Sequence, residues 1–133
     1  MNYLLDTCVI SDFLKKDPQT LKRFKSLSPS QLHISTVTVM EIEYGLALNP
    51  DKAKKIRPIW DSLLETIVVL SYCTECARHT AQQRAIFKNS GRLIGPYDIQ
   101  LTGTALAHNL VVVTSNIKEF SRTPELAVED WRL

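Results

Sequence analysis

Residues 1–14, MNYLLDTCVISDFL, join a short apolar run to a helical repeat with no turn signal between them. Asn2 to Leu5, and Tyr3 to Leu5 above all, have the character of a buried strand, whereas Val9, Ile10, Phe13 and Leu14 recur at the spacing of one helix face. The seam between the two is a carboxylate, Asp6. Two roles fit an aspartate there: cap of the helix that follows, or one ligand in a cluster that the fold assembles.

The same strand-then-helix unit recurs outward from this stretch. Thr7 to Lys15 reads as a helix stopped by Asp17-Pro18, and Gln19 to Leu27 as a second helix closed by Ser28-Pro29-Ser30. Gln31 to Ser35 is a strand, and Val37 to Leu48 a helix ending at Asn49-Pro50. Lys52 to Leu64 sets Ile56, Ile59, Trp60, Leu63 and Leu64 on one helical face. Ile67 to Leu70 is a third strand, and Thr74 to Ser90 a long helix ended by Gly91. Pro96 suits the first turn of a helix running to Asn109, because its missing N–H costs nothing there. Leu110 to Thr114 is the most continuous β-branched run and reads as a central strand buried on both faces. A helical turn at Ile117 to Phe120 and a short strand near Leu126 to Val128 complete the chain. Strands alternating with helices imply a parallel α/β sheet with helices on both sides, in a single domain spanning residues 1–133.

Composition narrows the function classes. With 44% hydrophobic and 23% charged residues, the chain has the balance of a soluble globular protein. No apolar run is long enough to cross a bilayer, and no export signal is visible, so a cytoplasmic protein is expected. A net charge of +2 does not by itself imply a nucleic-acid partner. Two basic segments stand out, Lys52 to Arg57 and Arg78 to Arg92, and such clusters are usually solvated helix faces. Cys8, Cys73 and Cys76 are an odd number and do not make a disulfide framework. Cys73-Thr-Glu-Cys76 with His79 has a metal-like or redox-like spacing, against the plainer reading of small residues near a helix start.

In parallel sheets, ligands gather beyond the carboxyl ends of the strands. Asp6 leaves the first strand there, Glu41 lies in the helix after LHIS, Asp98 opens the helix after IGP, and Asn116 and Glu119 follow VVVTS. Each has an ordinary explanation. Asp6 is a favoured N-cap, Thr38-Val-Met-Glu41 matches a capping box, Asp98 complements a helix dipole, and Glu119 suits a solvated surface. Together they point elsewhere, because Glu41 sits among apolar neighbours and carboxylates are rarely buried unless paired or metal-bound. An all-oxygen cluster suits Mg²⁺ or Mn²⁺ and the hydrolysis of phosphate esters.

The segments YLLDTCVISDFL, ISTVTVMEIEYGL, IGPYDIQLTGTALAHNLVVVTSNIKEF and LAVEDW, in this order and spacing, resemble the PIN-domain ribonucleases, and more narrowly the VapC toxins of bacterial toxin–antitoxin pairs. The resemblance covers nearly the whole chain. It implies a PIN-like fold with a central parallel sheet of about five strands and an acidic pocket that binds Mg²⁺, with Mn²⁺ as the alternative ion. Carried over by position, the family's metal-binding acids fall on Asp6, Glu41 and Asp98. The fourth acidic position falls on Asn116 in one variant of the family pattern and on Glu119 in another.

The implied chemistry is hydrolysis of an RNA phosphodiester by a metal-activated water, with inhibition of translation and growth as the outcome. Thr7 and Thr114 border the pocket, either supporting its acids or serving as plain strand-end threonines. Arg84, Lys88, Arg92 and Lys118 are candidates for the RNA backbone. The resemblance further implies a structured RNA target, initiator tRNA cut in the anticodon loop among them. It also implies a homodimer, and a VapB-like antitoxin whose tail lies across the pocket. Phe13, Leu21, Phe24 and the Trp60 helix would supply groove or dimer surface, or simply core. The competing classes are a catalytically weak PIN-like module that binds RNA or protein, and another metal-dependent nuclease or phosphatase built from the same acids.

Overall fold

The computed structural model describes residues 1–133. Its strands are β1 (Tyr3–Leu5), β2 (Leu32–Ser35), β3 (Val68–Leu70), β4 (Val111–Val113) and β5 (Val128–Glu129). The helices are α1 (Thr7–Leu14), α2 (Pro18–Ser26), α3 (Thr36–Leu48), α4 (Pro50–Thr66), α5 (Thr74–Asn89), α6 (Pro96–His108) and α7 (Ile117–Phe120), with one 3₁₀ turn at Pro29–Gln31. The five strands form one sheet in the order β3-β2-β1-β4-β5, and every neighbouring pair is parallel.

Strand alternation divides the core. Leu5, Ile34 and Val113 face one side and pack with Val9, Ile10, Ile42, Leu46, Trp60 and Leu63. Leu4 and Val112 face the other and pack with Val37, Leu101, Ala105 and Phe120. Burial on both faces explains why VVV carries no polar alternation. β4 is an interior strand, but the middle of the sheet is β1.

Three sequence readings are corrected. The helix beginning after β2 is capped by Ser35, whose hydroxyl accepts from the Val37 N–H, so Thr38 is not the cap of a capping box. Asn49-Pro50 ends α3 and also starts α4: the Asn49 side chain accepts from the Lys52 N–H, and Pro50 occupies the first turn. The last strand is Val128–Glu129, while Leu126 is a buried anchor ahead of it whose N–H bonds to the Thr123 carbonyl.

Trp60 is fully buried and belongs to the core rather than to a surface. Phe13, Leu21, Phe24, Ile59 and Leu63 instead line an open groove between α2 and α4. Met40, Tyr44 and Leu48 form an exposed stripe along α3, which is apolar on its inner side as well through Ile42 and Leu46. No helix is long and apolar enough to cross a membrane.

Candidate active site

The chain leaves β1 toward β2 on one side and returns through β4 on the other, so the crevice beyond the ends of β1 and β4 is the switch point of the sheet. Asp6 and Thr114 are the first residues past those two strands. The Asp6 N–H continues the ladder by donating to the Val113 carbonyl at 3.0 Å, which fixes the side chain at the crevice. Asp6 caps its helix and also joins the acids that border the crevice. Its Oδ1 accepts from the Thr7 N–H at 2.7 Å as the N-cap of α1, and its Oδ2 accepts from the Thr114 hydroxyl at 2.7 Å.

Thr7 carries the next acid. Its hydroxyl donates to Glu41 Oε1 at 2.9 Å, so one residue holds Asp6 through its backbone and Glu41 through its side chain. The segment MEIEYG contains a second acid, and the structure separates the two. Glu43 is neutralised by Arg57 at 2.7 Å and by the Trp60 indole N–H at 2.6 Å, whereas Glu41 has only the Thr7 hydroxyl. Asp12 and Asp17 are likewise satisfied, by the Arg132 guanidinium and by the first turn of α2.

On the opposite wall, Asp98 stands in the first turn of α6 and Glu119 in α7. Asn116 joins them: its Nδ2 donates to Asp98 Oδ2 at 3.2 Å and to Glu119 Oε2 at 2.6 Å. The two residues that the sequence offered for one position therefore act together, one as donor and one as acid. The Gly95 N–H donates to the other Glu119 oxygen. The Thr114 hydroxyl ties the walls to each other, donating to Asp6 while accepting from the Asn116 N–H at 3.0 Å.

The electrostatics are those of a crowded acid cluster. Burial, with Asp6 and Glu119 close by, pushes the Asp98 carboxyl from an ordinary 3.8 up to about 7. Burial also pushes Glu41 up, against the Thr7 hydroxyl and with some help from Asp6. Burial opposes the ionisation of Glu119, but the Gly95 N–H, the Asn116 amide and Asp98 outweigh it and hold the group low. Asp98 and Glu119 therefore titrate as a pair, the first pushed up and the second held low.

Linkage gives these shifts a measurable sign. The raised Asp98 makes the folded, metal-free protein bind more protons than the unfolded chain, so its contribution is fully present below the unfolded pKa of 3.8 and is lost as pH rises through about 7. Glu41 acts in the same direction and Glu119 in the opposite one. In EDTA, thermal stability is expected to fall between pH 5 and pH 8, and Asp98→Asn to raise it at pH 8 by on the order of 1 kcal/mol, a value reduced by solvent screening of a half-exposed group. Unfolding followed by circular dichroism checks this; a D98N protein less stable than wild type at pH 8 would contradict it.

No Lys or Arg forms an ion pair with any of the four acids. The donors that do reach them are hydroxyls, the Cys8 thiol, one amide and backbone N–H groups, all uncharged, which leave net negative charge in the crevice. That all-oxygen donor set fits a hard divalent cation. Asp6 and Glu41 line one wall and Asp98 and Glu119 the other, and no three of them bring oxygens within 4.8 Å of one another. Such spacing suits Mg²⁺, which commonly keeps several waters and takes one or two carboxylates directly.

The remaining nominated residues lie further out. Arg84 and Lys88 line a cavity beside Pro96 and Ile99, at the start of the helix that bears Asp98. Arg92 is exposed in the loop after α5, and Lys118 is exposed on α7 next to Glu119. Two contributors escaped the sequence. Cys8 places its Sγ 3.8 Å from Asp6 Oδ2 and accepts the Ser115 N–H. Arg122 lends positive potential to Glu119 while donating to the Leu93 carbonyl at 2.8 Å, which holds the loop leading to Gly95.

Known proteins resemble this chain in sequence and fold. The PIN domain family model matches residues 3–126. A tRNA(fMet)-specific endonuclease VapC from Salmonella typhimurium is 37% identical over 133 residues, covering 98% of each chain. Ribonuclease VapC2 from Haemophilus influenzae is 30% identical over 132 residues, again covering 98% of each. Among solved structures, DNA-bound VapBC from Salmonella typhimurium superposes with a TM-score of 0.88 at 34% identity, covering 98% of both chains. With its fold, its acids at the switch point and these full-length relatives in agreement, the chain belongs to the PIN-domain family and, within it, to the VapC ribonucleases.

Proposed function

We propose that this chain is the endoribonuclease toxin of a VapBC-type pair, and that its acidic crevice requires Mg²⁺ or Mn²⁺. The observation that carries the reading is the set of four acids gathered at the sheet's switch point with no cationic side chain paired to them. Asp6, Glu41 and Asp98 would hold the ion, with Glu119 on the Asp98 side. A divalent ion there would supply Lewis acidity toward a phosphodiester oxygen and toward the attacking water.

The chain's own residues do the rest. Thr114 and Thr7 keep the Asp6 and Glu41 oxygens aimed into the crevice. Asn116 fixes Asp98 against Glu119, and Glu119, held low by the Gly95 N–H and the Asn116 amide, would orient the water and receive its proton. Lys118, Arg84, Lys88 and Arg92 meet the RNA backbone, giving affinity without reading sequence.

Initiator tRNA, cut in the anticodon loop, is the proposed substrate, on the strength of the tRNA(fMet)-specific relative, and arrest of translation and growth is the proposed consequence. The proposed partner is a VapB-like antitoxin lying in the groove of Phe13, Leu21 and Phe24, with its tail across the acids. A homodimer would cover the Met40, Tyr44 and Leu48 stripe. Expression in bacteria without the antitoxin, followed by sequencing of RNA 5′ ends, is expected to show a new end within the initiator tRNA anticodon loop. Growth arrest with intact initiator tRNA would reject that substrate, and no cleavage of any RNA would reject the toxin reading.

A further inference from the structure

We propose that Cys73, Cys76 and His108 form a second cation site, for one Zn²⁺ ion, separate from the acidic crevice. One ligand atom from each of the three residues lies within 4.8 Å of the other two, and the two sulfurs are 3.2 Å apart. The sequence paired the cysteines with His79, but the structure supplies a different histidine. Cys73 occupies the N-cap position of α5, its thiol free of any capping bond, Cys76 sits in the first turn, and His108 is the last residue of α6, which packs against α5 where Gly103 meets Cys76 and Thr80.

Asp98 and His108 are ten residues apart on α6, a rise of about 15 Å, so the crevice acids and these donors do not share an ion. Two sulfurs and an imidazole are soft to borderline donors that select Zn²⁺ over Mg²⁺, the reverse of the oxygen-only crevice. A tetrahedral Zn²⁺ with bonds of about 2.0 to 2.3 Å needs its donors roughly 3.4 to 3.8 Å apart. The two sulfurs, at 3.2 Å, stand close to that spacing and the imidazole within 4.8 Å of both, while Cys73 and His108 are exposed on the side where a fourth ligand would enter.

A dithiol that only cycles with a disulfide has no use for a third donor, whereas a cation does. Bound there, the ion clips the start of α5 to the end of α6, and α6 is the helix that carries Asp98.

Co²⁺ titration of phosphine-reduced protein tests the site, because Zn²⁺ has no visible spectrum. One equivalent is expected to give a thiolate-to-cobalt charge-transfer band and tetrahedral ligand-field bands, bleached by one equivalent of Zn²⁺. Cys73→Ser and His108→Ala, both at exposed positions, are each expected to weaken Co²⁺ binding at least about tenfold while leaving metal-free melting unchanged. Asp6→Asn is expected to leave the spectrum as it is. Absence of the charge-transfer band in the reduced protein, or a band unaltered in Cys73→Ser or His108→Ala, overturns the proposal.

Discussion

Asp6→Asn is expected to lower RNA cleavage about a thousandfold or more, equivalent to about 4 kcal/mol in the activation barrier, with the melting temperature nearly unchanged. The two expectations are separable because asparagine caps a helix as well as aspartate does. Oδ1 can still accept from the Thr7 N–H. The new amide can donate to the Thr114 oxygen, a hydroxyl that accepts as readily as it donates. What disappears is one negative charge at the point where both walls of the crevice meet. Asp6→Ala would be a poorer test, since it also removes the cap and the partner of a fully buried Thr114. An Asp6→Asn enzyme within tenfold of wild type would mean that Asp6 only caps.

Gly103→Ala is expected to destabilise the protein by about 2 to 3 kcal/mol, lowering its melting temperature by roughly 10 °C. In a free helix this change would favour folding by about 1 kcal/mol. Here a Cβ would lie 2.0 Å from the Thr80 hydroxyl and 2.7 Å from both the Cys76 carbonyl and the Thr80 backbone nitrogen. The threonine can rotate, but the α5 backbone cannot yield without moving the two helices apart. Because α6 also carries Asp98, cleavage is expected to fall with stability. Calorimetry on the purified variant checks the first effect, and an unchanged melting temperature would show that the two helices are not held this closely.

Much of this was legible in the chain, and the reasons differ by residue. Asp6, Glu41 and Asp98 stand at strand ends or in the helices that follow them, where a parallel sheet makes its crevice, so local pattern was enough to nominate them. The choice of Glu41 over Glu43 has a tertiary cause that also became visible only in three dimensions: Arg57 and Trp60, from α4, neutralise Glu43. Sequence left open which of Asn116 and Glu119 fills the fourth acidic position, because a motif allots one position to one residue. In space a single amide bridges two carboxylates.

Other features had no local signal. Arg122 reaches the loop before Gly95 through a carbonyl, and any residue would have supplied that carbonyl. His79 follows Cys76 by three residues, but the donor that meets the sulfurs comes from the end of a neighbouring helix. Ser35, Thr36 and Thr38 can all cap by composition, and only the end of β2 decides that Ser35 does. The order of the sheet, which makes β1 rather than β4 its middle, depends on pairings between distant segments.

The central claim is that the four acids work through a divalent ion on RNA, and metal titration of cleavage tests it most directly. Purified protein stripped with EDTA should leave transcribed initiator tRNA intact, cut it as Mg²⁺ or Mn²⁺ is restored, and require less metal at pH 8 than at pH 6, because Asp98 releases its proton at about 7. Cleavage that proceeds undiminished in EDTA would contradict the account.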